Sequence, residues 1–346
     1  MKAQKRIARR ELWRRNGQQT LLLSASAINS FQTCHKMYEY EKKRHLKPIE
    51  TSNSLSFGTV THRGLESIFR WIGLGETDKE KAKQRALEEI IDAADACGLP
   101  GEDLSKIQAL MDCYIDTYFN EDASLYDVVG VEVPFTCYPE NPRTGRSDLR
   151  FGTRGYIDAI VKNRMTDEYW VIEHKTAGVV SDGYMQRVNI DWQSAIYIEA
   201  VRQKCGSCAG VIYDVLRKPK HEISKGETDE EFEARKTASK TGRIKRKYPE
   251  SLTEFYNRIR LGMDESYLIR QMVTPNEEMM RQFRREFFAT AREINRTKVY
   301  AKSTCNCLKY GKCPYMDLCC NGGDLSGLED KYSNTNSPYS AEDGHD

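Results

Sequence analysis

Apolar and polar positions change their rhythm near residue 126. Before it, apolar residues recur every three or four positions, the spacing of amphipathic helices. Ser24 and Ser26 stand as helix caps ahead of Ile28, Phe31 and Tyr38. Phe57 to Trp71 predicts a second helix, ended by Gly73 and Gly75. Thr77-Asp78-Lys79-Glu80 has the form of a capping box that opens a charged helix toward Ala96, and Leu104 to Phe119 predicts another. Beyond residue 126, strands enter: Val128 to Phe135, Arg154 to Lys162 and Tyr169 to Lys175, the last two joined by the polar turn Asn163 to Asp167. A helix over Ile190 to Arg202, a strand over Gly210 to Val215, a helix over Glu254 to Met263, a short strand over Tyr267 to Val273 and a helix over Glu277 to Ile294 complete the pattern.

This order predicts an α/β chain with five parts. A basic arm covers 1–20, and a helical region covers 21–125. An α/β core covers 126–300 and carries a charged insertion at 217–248. A cysteine-rich segment covers 301–321. The polar remainder, 322–346, is expected to be a disordered tail. The insertion holds two basic clusters, Arg217, Lys218 and Lys220, then Lys240, Arg243, Lys245, Arg246 and Lys247, with acids from Glu227 to Glu233 between them. It reads either as a phosphate-tracking loop or as a solvated excursion.

Composition narrows the picture. Hydrophobic residues make up 39% of the 346 positions, enough for a sizeable core, and charged residues 30%. The net charge of +2 does not by itself announce a nucleic-acid binder. No apolar run approaches the ~20 residues that cross a bilayer, and Leu21-Leu22-Leu23 is too short for a secretory signal, so a cytoplasmic protein without a membrane partner is expected. Five of the 11 cysteines crowd into Cys305 to Cys320. In a reducing compartment such crowding points to metal rather than to disulfides. Cys205 and Cys208, at a helix end with no second pair, read as structural.

The densest chemistry lies in Gly155-Tyr156-Ile157-Asp158-Ala159 and Trp170-Val171-Ile172-Glu173-His174-Lys175. Side chains alternate along a strand, so Glu173 and Lys175 share one face and His174 points the other way. A hairpin would set Asp158 beside Glu173. Two carboxylates and an ammonium would then converge within strongly apolar strands, where unpaired charge is costly. Carboxylates are hard ligands suited to Mg²⁺ or Mn²⁺, and phosphodiester hydrolysis needs these parts.

These residues resemble the PD-(D/E)xK nuclease superfamily in its RecB-like branch, with the texture of CRISPR-associated adaptation nucleases and bacteriophage exonucleases. The resemblance implies a restriction-endonuclease-like mixed central sheet flanked by helices, with a helical N-terminal region and a C-terminal metal-cluster segment. It implies Asp158, Glu173 and Lys175 as catalytic, with the carbonyl of His174 coordinating the metal. Gly58-Thr-Val-Thr-His62 matches the family's Gly-x-x-x-His, whose histidine joins the metal site. Gln193-Ser-Ala-Ile-Tyr197 matches its Gln-x-x-x-Tyr, implying contact with the DNA strand or a catalytic partner, and Glu132 matches a position that often supplies a further acid. Ile157 stands where the family's proline precedes the first acid. Cys307, Cys313 and Cys319 resemble the cluster segment of the iron–sulfur members, with Cys34 of Phe31-Gln-Thr-Cys34 as the distant fourth ligand. Four thiolates suit [4Fe–4S] and also Zn²⁺; spacing does not separate them, and the resemblance favours iron–sulfur. Cys305 competes with Cys307, which the family texture prefers. The implied activity is an exonuclease on single-stranded DNA or DNA ends in a bacterial or phage-infected cell. A helicase or recombination partner and an oligomer are compatible with it, as is a non-cleaving DNA-binding subunit of the same fold.

Overall fold

The computed structural model describes residues 20–49, 53–239, 244–309 and 311–334. The expected basic arm up to residue 19, with Lys240 and Arg243 of the insertion, lies outside these residues. Strand β1 (Leu21–Leu23) leads into helix α1 (Ala25–Thr33), α2 (His35–Tyr38) and, after a π-helical turn, β2 (Leu46–Pro48). Three long helices follow, α3 (Asn53–Gly73), α4 (Lys79–Cys97) and α5 (Gly101–Leu125). Next come β3 (Tyr126–Cys137), the small hairpin β4 (Glu140–Asn141) and β5 (Arg146–Ser147), β6 (Phe151–Asn163) and β7 (Tyr169–Ala177). Helices α6 (Asp182–Val188) and α7 (Trp192–Cys205) precede β8 (Gly210–Arg217). The remainder comprises α8 (Asp229–Ala238), α9 (Leu252–Leu261), β9 (Leu268–Val273), α10 (Glu277–Arg296), α11 (Met316–Cys320) and β10 (Tyr332–Asn334).

Six strands form the central mixed sheet, in the order β1-β6-β7-β8-β9 with β3 on β6. Thr153 of β6 pairs with Leu23 and with Cys137, so β1 and β3 occupy opposite edges of β6. β7 joins the edge that β1 begins, pairing Ala159 with Ile172. Strict alternation sorts β7: Trp170 and Ile172 enter the core under α3, α4, α5 and α9, whereas Val171 enters the core under α1, α7 and α10. A helical layer on each face follows from this two-sided burial. A third, small core gathers Tyr40, Leu46, Tyr315, Leu318 and Tyr332 beside the cysteine segment. Among the described residues no helix is long and apolar enough to cross a membrane.

Several sequence expectations shift. Asp78, not Thr77, caps α4, accepting from the amides of Glu80 and Lys81 at 3.0 and 3.2 Å. The helix expected from the Ser24 and Ser26 caps through Tyr38 breaks at Cys34, whose extended backbone ends α1 and starts α2. The insertion contains its own helix α8, with a full capping box at Thr228 and Glu231, and Lys225 bridges to Pro249 at its base. The segment from Gly322, expected as a disordered tail, is ordered through residue 334. Tyr332 to Asn334 pair antiparallel with Pro48 to Leu46, and the Tyr332 ring stacks on Tyr315 at 6.0 Å, contacts a composition argument does not register.

A charged network is buried beside the sheet. Arg270 of β9 pairs in register with Asp214 of β8, donating from Nε and Nη2 at 2.7 Å each. It also donates to Asp122 of α5 at 2.6 and 3.0 Å, and the Tyr114 hydroxyl donates to Asp214 at 2.6 Å. Both acids are 1% exposed. Removing Arg270 would leave two buried carboxylates without their ion-pair partner. Arg270→Met is therefore expected to cost about 3–5 kcal/mol of stability in urea unfolding at neutral pH; a loss under 1 kcal/mol would show that the network is not a structural keystone.

Candidate active site

The β6–β7 hairpin is closed by a tight polar turn. Asn163 Oδ1 accepts from the amides of Met165 and Thr166 at 2.8 and 3.1 Å. The ladder then runs to Ala159↔Ile172 and stops. The next pair would be Asp158 and Glu173. Here the strands part, and the Asp158 side chain takes the place of the ladder: the His174 amide donates to its Oδ2 at 2.8 Å. The opening between β6 and β7 thus holds the two acids that the sequence singles out.

Glu173 is 1% exposed. Its Oε1 meets Lys175 Nζ at 2.6 Å, one strand period away on the same face. Its Oε2 is buried with no hydrogen-bond partner. Burial first, and the charge of Asp158 second, push the Glu173 carboxyl up to about 8, against the pull of Lys175. Asp158 goes the other way: burial opposes its ionisation, but His62, the hydrogen bond from His174 and Lys175 hold it well below the usual carboxylate range. Lys175 is raised despite burial, because Glu173 and Asp158 favour its charged form.

Three more elements close on this point. On α3, Gly58 lies against β7, with Thr176 Oγ1 3.5 Å from where a Cβ would stand, which is ordinary contact. One helical turn on, His62 Nδ1 is 3.6 Å from Asp158 Oδ2. On α7, Gln193 Nε2 donates to the Tyr197 hydroxyl at 2.7 Å, and the Tyr197 ring meets Phe135 edge-on at 5.7 Å. Burial, then Glu173 and Asp158, raise the Tyr197 phenol well above its ordinary value, so it faces the acids as a neutral hydroxyl. On β3, Val131 and Val133 pair with Ala159 and Ile157, which sets Glu132 opposite Asp158. Glu132 holds a left-handed backbone, φ 47°, a strain of about 1 kcal/mol or more for a residue with a Cβ. Burial, then Asp158 and Glu66, push its carboxyl up to about 8.

The His174 ring lies on the opposite face from Glu173, as period-2 alternation requires. It is not idle there. Nδ1 is 3.3 Å from Asp158 Oδ2, and Nε2, with no hydrogen bond, is 3.9 Å from Asp214, its in-register partner on β8. The ring therefore links the site to the buried Arg270 network. Sequence reasoning assigned only the His174 carbonyl and passed over Asp214, although a lone acid inside Val211-Ile212-Tyr213-Asp214-Val215 was a visible signal. It also passed over Asp191, the N-cap of α7, which accepts from Gln193 N at 2.9 Å and whose charge acts on both Glu173 and Lys175.

The donor set suits a hard divalent ion. Glu132, Asp158 and Glu173 occupy facing positions on β3, β6 and β7, and burial together with the charge of Asp158 disfavours ionisation of the other two. One oxygen of Glu173 lacks any partner. No three His, Cys, Asp or Glu side chains stand at ready-made ion-cage spacing among the described residues.

The cysteines gather at the other end of the chain. Ser303 N donates to Cys34 Sγ at 3.3 Å, and Asn306 Nδ2 donates to the Thr33 carbonyl at 2.7 Å, tying the α1–α2 junction to the segment after α10. Burial, then the nearby Cys307, Cys319 and Cys34, raises the Cys313 thiol. Cys319 is raised by burial too, with Cys34 and Cys307 adding to it. Cys305 and Cys320 are exposed. Cys208 is buried against the Gly210 carbonyl at 3.5 Å, its thiol pushed up to about 12 by burial.

The pH dependence of the ion-free site has a definite sign. Glu132 and Glu173 have folded pKa values raised above the unfolded value of ~4.3. The folded state binds their protons more tightly, so their contribution to stability is complete below that value and is lost as pH rises toward about 8. In EDTA, Tm is expected to fall from pH 6 to pH 8, Glu132→Gln is expected to flatten that slope, and Mg²⁺ is expected to restore more Tm at pH 8 than at pH 6. Equal slopes for the two proteins would refute the assignment of Glu132.

Comparison with curated proteins returns no match. The family model of the PD-(D/E)XK nuclease superfamily matches residues 22–320, from β1 to the end of α11. With that match spanning most of the chain, and with a mixed sheet between helical layers, the protein belongs to the PD-(D/E)XK nuclease superfamily.

Proposed function

We propose that this chain is a Mg²⁺- or Mn²⁺-dependent deoxyribonuclease of the RecB-like branch, acting as an exonuclease on single-stranded DNA or DNA ends. The observation that carries this reading is the buried, partnerless oxygen of Glu173 in the same opening as Asp158, with Lys175 alongside. Asp158 and Glu173 would hold the ion, with the His174 carbonyl and His62 as further donors. When bound, the ion supplies Lewis acidity to a phosphoryl oxygen and lowers the pKa of water held there. Lys175 orients the attacking water and offsets negative charge at the pentavalent phosphorus. Gln193 and Tyr197, locked to each other, offer the strand a fixed amide and hydroxyl. The order of motifs from Phe31-x-x-Cys34 to Cys319 supports the branch; a cytoplasmic setting and a helicase or recombination partner are compatible with it. Cleavage of end-labelled DNA with Mn²⁺ is expected to drop by ~10²-fold or more in both Asp158→Ala and Lys175→Ala. Undiminished cleavage in either would overturn the assignment. Resistance of circular single strands would mark the exonuclease.

The cysteine site belongs to the same reading. Cys34, Cys307, Cys313 and Cys319 would hold a [4Fe–4S] cluster as a staple between α1–α2 and the C-terminal segment, closing a very long loop. Their mutual electrostatic proximity supports it. The purified protein is expected to be brown with broad visible absorption, and Cys319→Ser is expected to lose that colour together with solubility and DNA binding. Zinc without iron on metal analysis would replace the cluster by a zinc staple.

A further inference from the structure

Beyond Lys175 the parallel pair β7–β8 ends in a cavity of about 470 Å³, within the range of small-ligand sites. Arg217, Lys218, Lys220, His221, Tyr267 and Gly178 line it, and no acid does. Its position is fixed by the sheet: Ala177 pairs with Arg217, and the Lys218 amide donates to the Ala177 carbonyl at 2.9 Å. Lys175 is two residues earlier on β7, about 7 Å along the strand.

One cation at this cavity, Arg217, keeps an unused donor. Arg217 Nε is buried with no hydrogen-bond partner. The acid acting on this guanidinium, Asp264, lies outside the lining, as does Asp103, which acts on Lys218. The Lys218 ammonium lies 4.8 Å from the Phe57 ring centroid, and burial lowers its pKa, so its charge is partly desolvated. Lys220 and His221 are exposed and make no ion pair or hydrogen bond among the described residues. A guanidinium fork with an unused donor is suited to a phosphoryl group, and an adjacent phenol ring offers a face to a base.

We infer that this cavity is a nucleotide subsite that takes a phosphoryl group of the DNA strand, next to the position where the strand is cut. The ligand chemistry is a phosphate with its nucleoside, either a terminal phosphate or an internal phosphodiester. This inference rests on the nuclease reading for its substrate, and its own readout is binding rather than cleavage.

The test measures fluorescence anisotropy of short single strands, 5′-phosphorylated or 5′-hydroxyl, on the full chain carrying Asp158→Asn, in EDTA and across a salt series. Arg217→Gln is expected to weaken binding tenfold or more. Because Arg217 is partly buried, the exposed pair Lys220→Ala and His221→Ala serves as the variant that keeps the fold. Loss of Lys220 is expected to reduce the slope of log affinity against log salt by about 0.7. Lys298→Ala, an exposed lysine elsewhere, is expected to change neither. Loss of the preference for the 5′-phosphorylated strand would assign a terminal phosphate, and equal weakening of both strands an internal phosphodiester. Affinity and slope unchanged in both cavity variants, or matched by Lys298→Ala, would overturn the subsite. If the parent with Asp158 intact cuts DNA while the cavity variants bind normally, the subsite alone fails. If it binds without cutting, the nuclease reading alone fails. If the parent does not bind, both fail.

Discussion

Repulsion between Asp158 and Glu173 in a place short of water is the constraint around which the rest is arranged. Two like charges cannot both ionise cheaply there, and the fold answers by splitting the burden. Asp158 keeps its charge because His62, the His174 amide and ring, and Lys175 approach it from α3 and β7. Glu173 is left poised near neutrality, with one oxygen on Lys175 and one on nothing. Glu132 adds a third acid at a facing position on β3, at the expense of an unfavourable backbone. Such frustration is tolerable only in a rigid frame, and the frame is the register of three strands: His174, Asp214 and Arg270 stand side by side on β7, β8 and β9 behind the acids.

Much of this was legible in the chain. Period-2 alternation in Trp170 to Lys175 fixed which side chains share a face, and the turn residues Asn163 to Asp167 fixed the hairpin. The long helices α3, α4 and α5 followed from their apolar stripes. What escaped has physical reasons. Strand β1 is three leucines long and acquires its identity only by pairing with Phe151 to Thr153, over a hundred residues away. The break at Cys34 and the ordering of 322–334 depend on contacts between the two ends of the sequence. The left-handed Glu132 lies in a strand whose composition gives no hint of it. The Asp214–Arg270 pairing joins two strands separated by the whole charged excursion, so nothing local in either strand points to its partner.

Charge is also sorted in space in a way the net value of +2 conceals. The acids converge where β6 and β7 part, and the cations of Arg217 to His221 collect where β7 and β8 end. Among the described residues of the insertion, Glu227 takes two hydrogen bonds from Arg235, at 2.6 and 2.9 Å, and one from the Lys247 amide at 2.6 Å. The cavity lined by Arg217, Lys218, Lys220 and His221 lies at the root of this loop, with no acid in its lining.

The pairing of β2 with β10, and of the α1–α2 junction with residues 301–306, imposes an order of events on synthesis. The sheet from β3 to β9 can assemble as it emerges, because each strand's neighbours are already made or follow soon. The small aromatic core of Tyr40, Leu46, Tyr315 and Tyr332 cannot. Its first half stays uncovered until Tyr315, Leu318 and Tyr332 have been made, a far longer wait than any strand of the central sheet has for its neighbour.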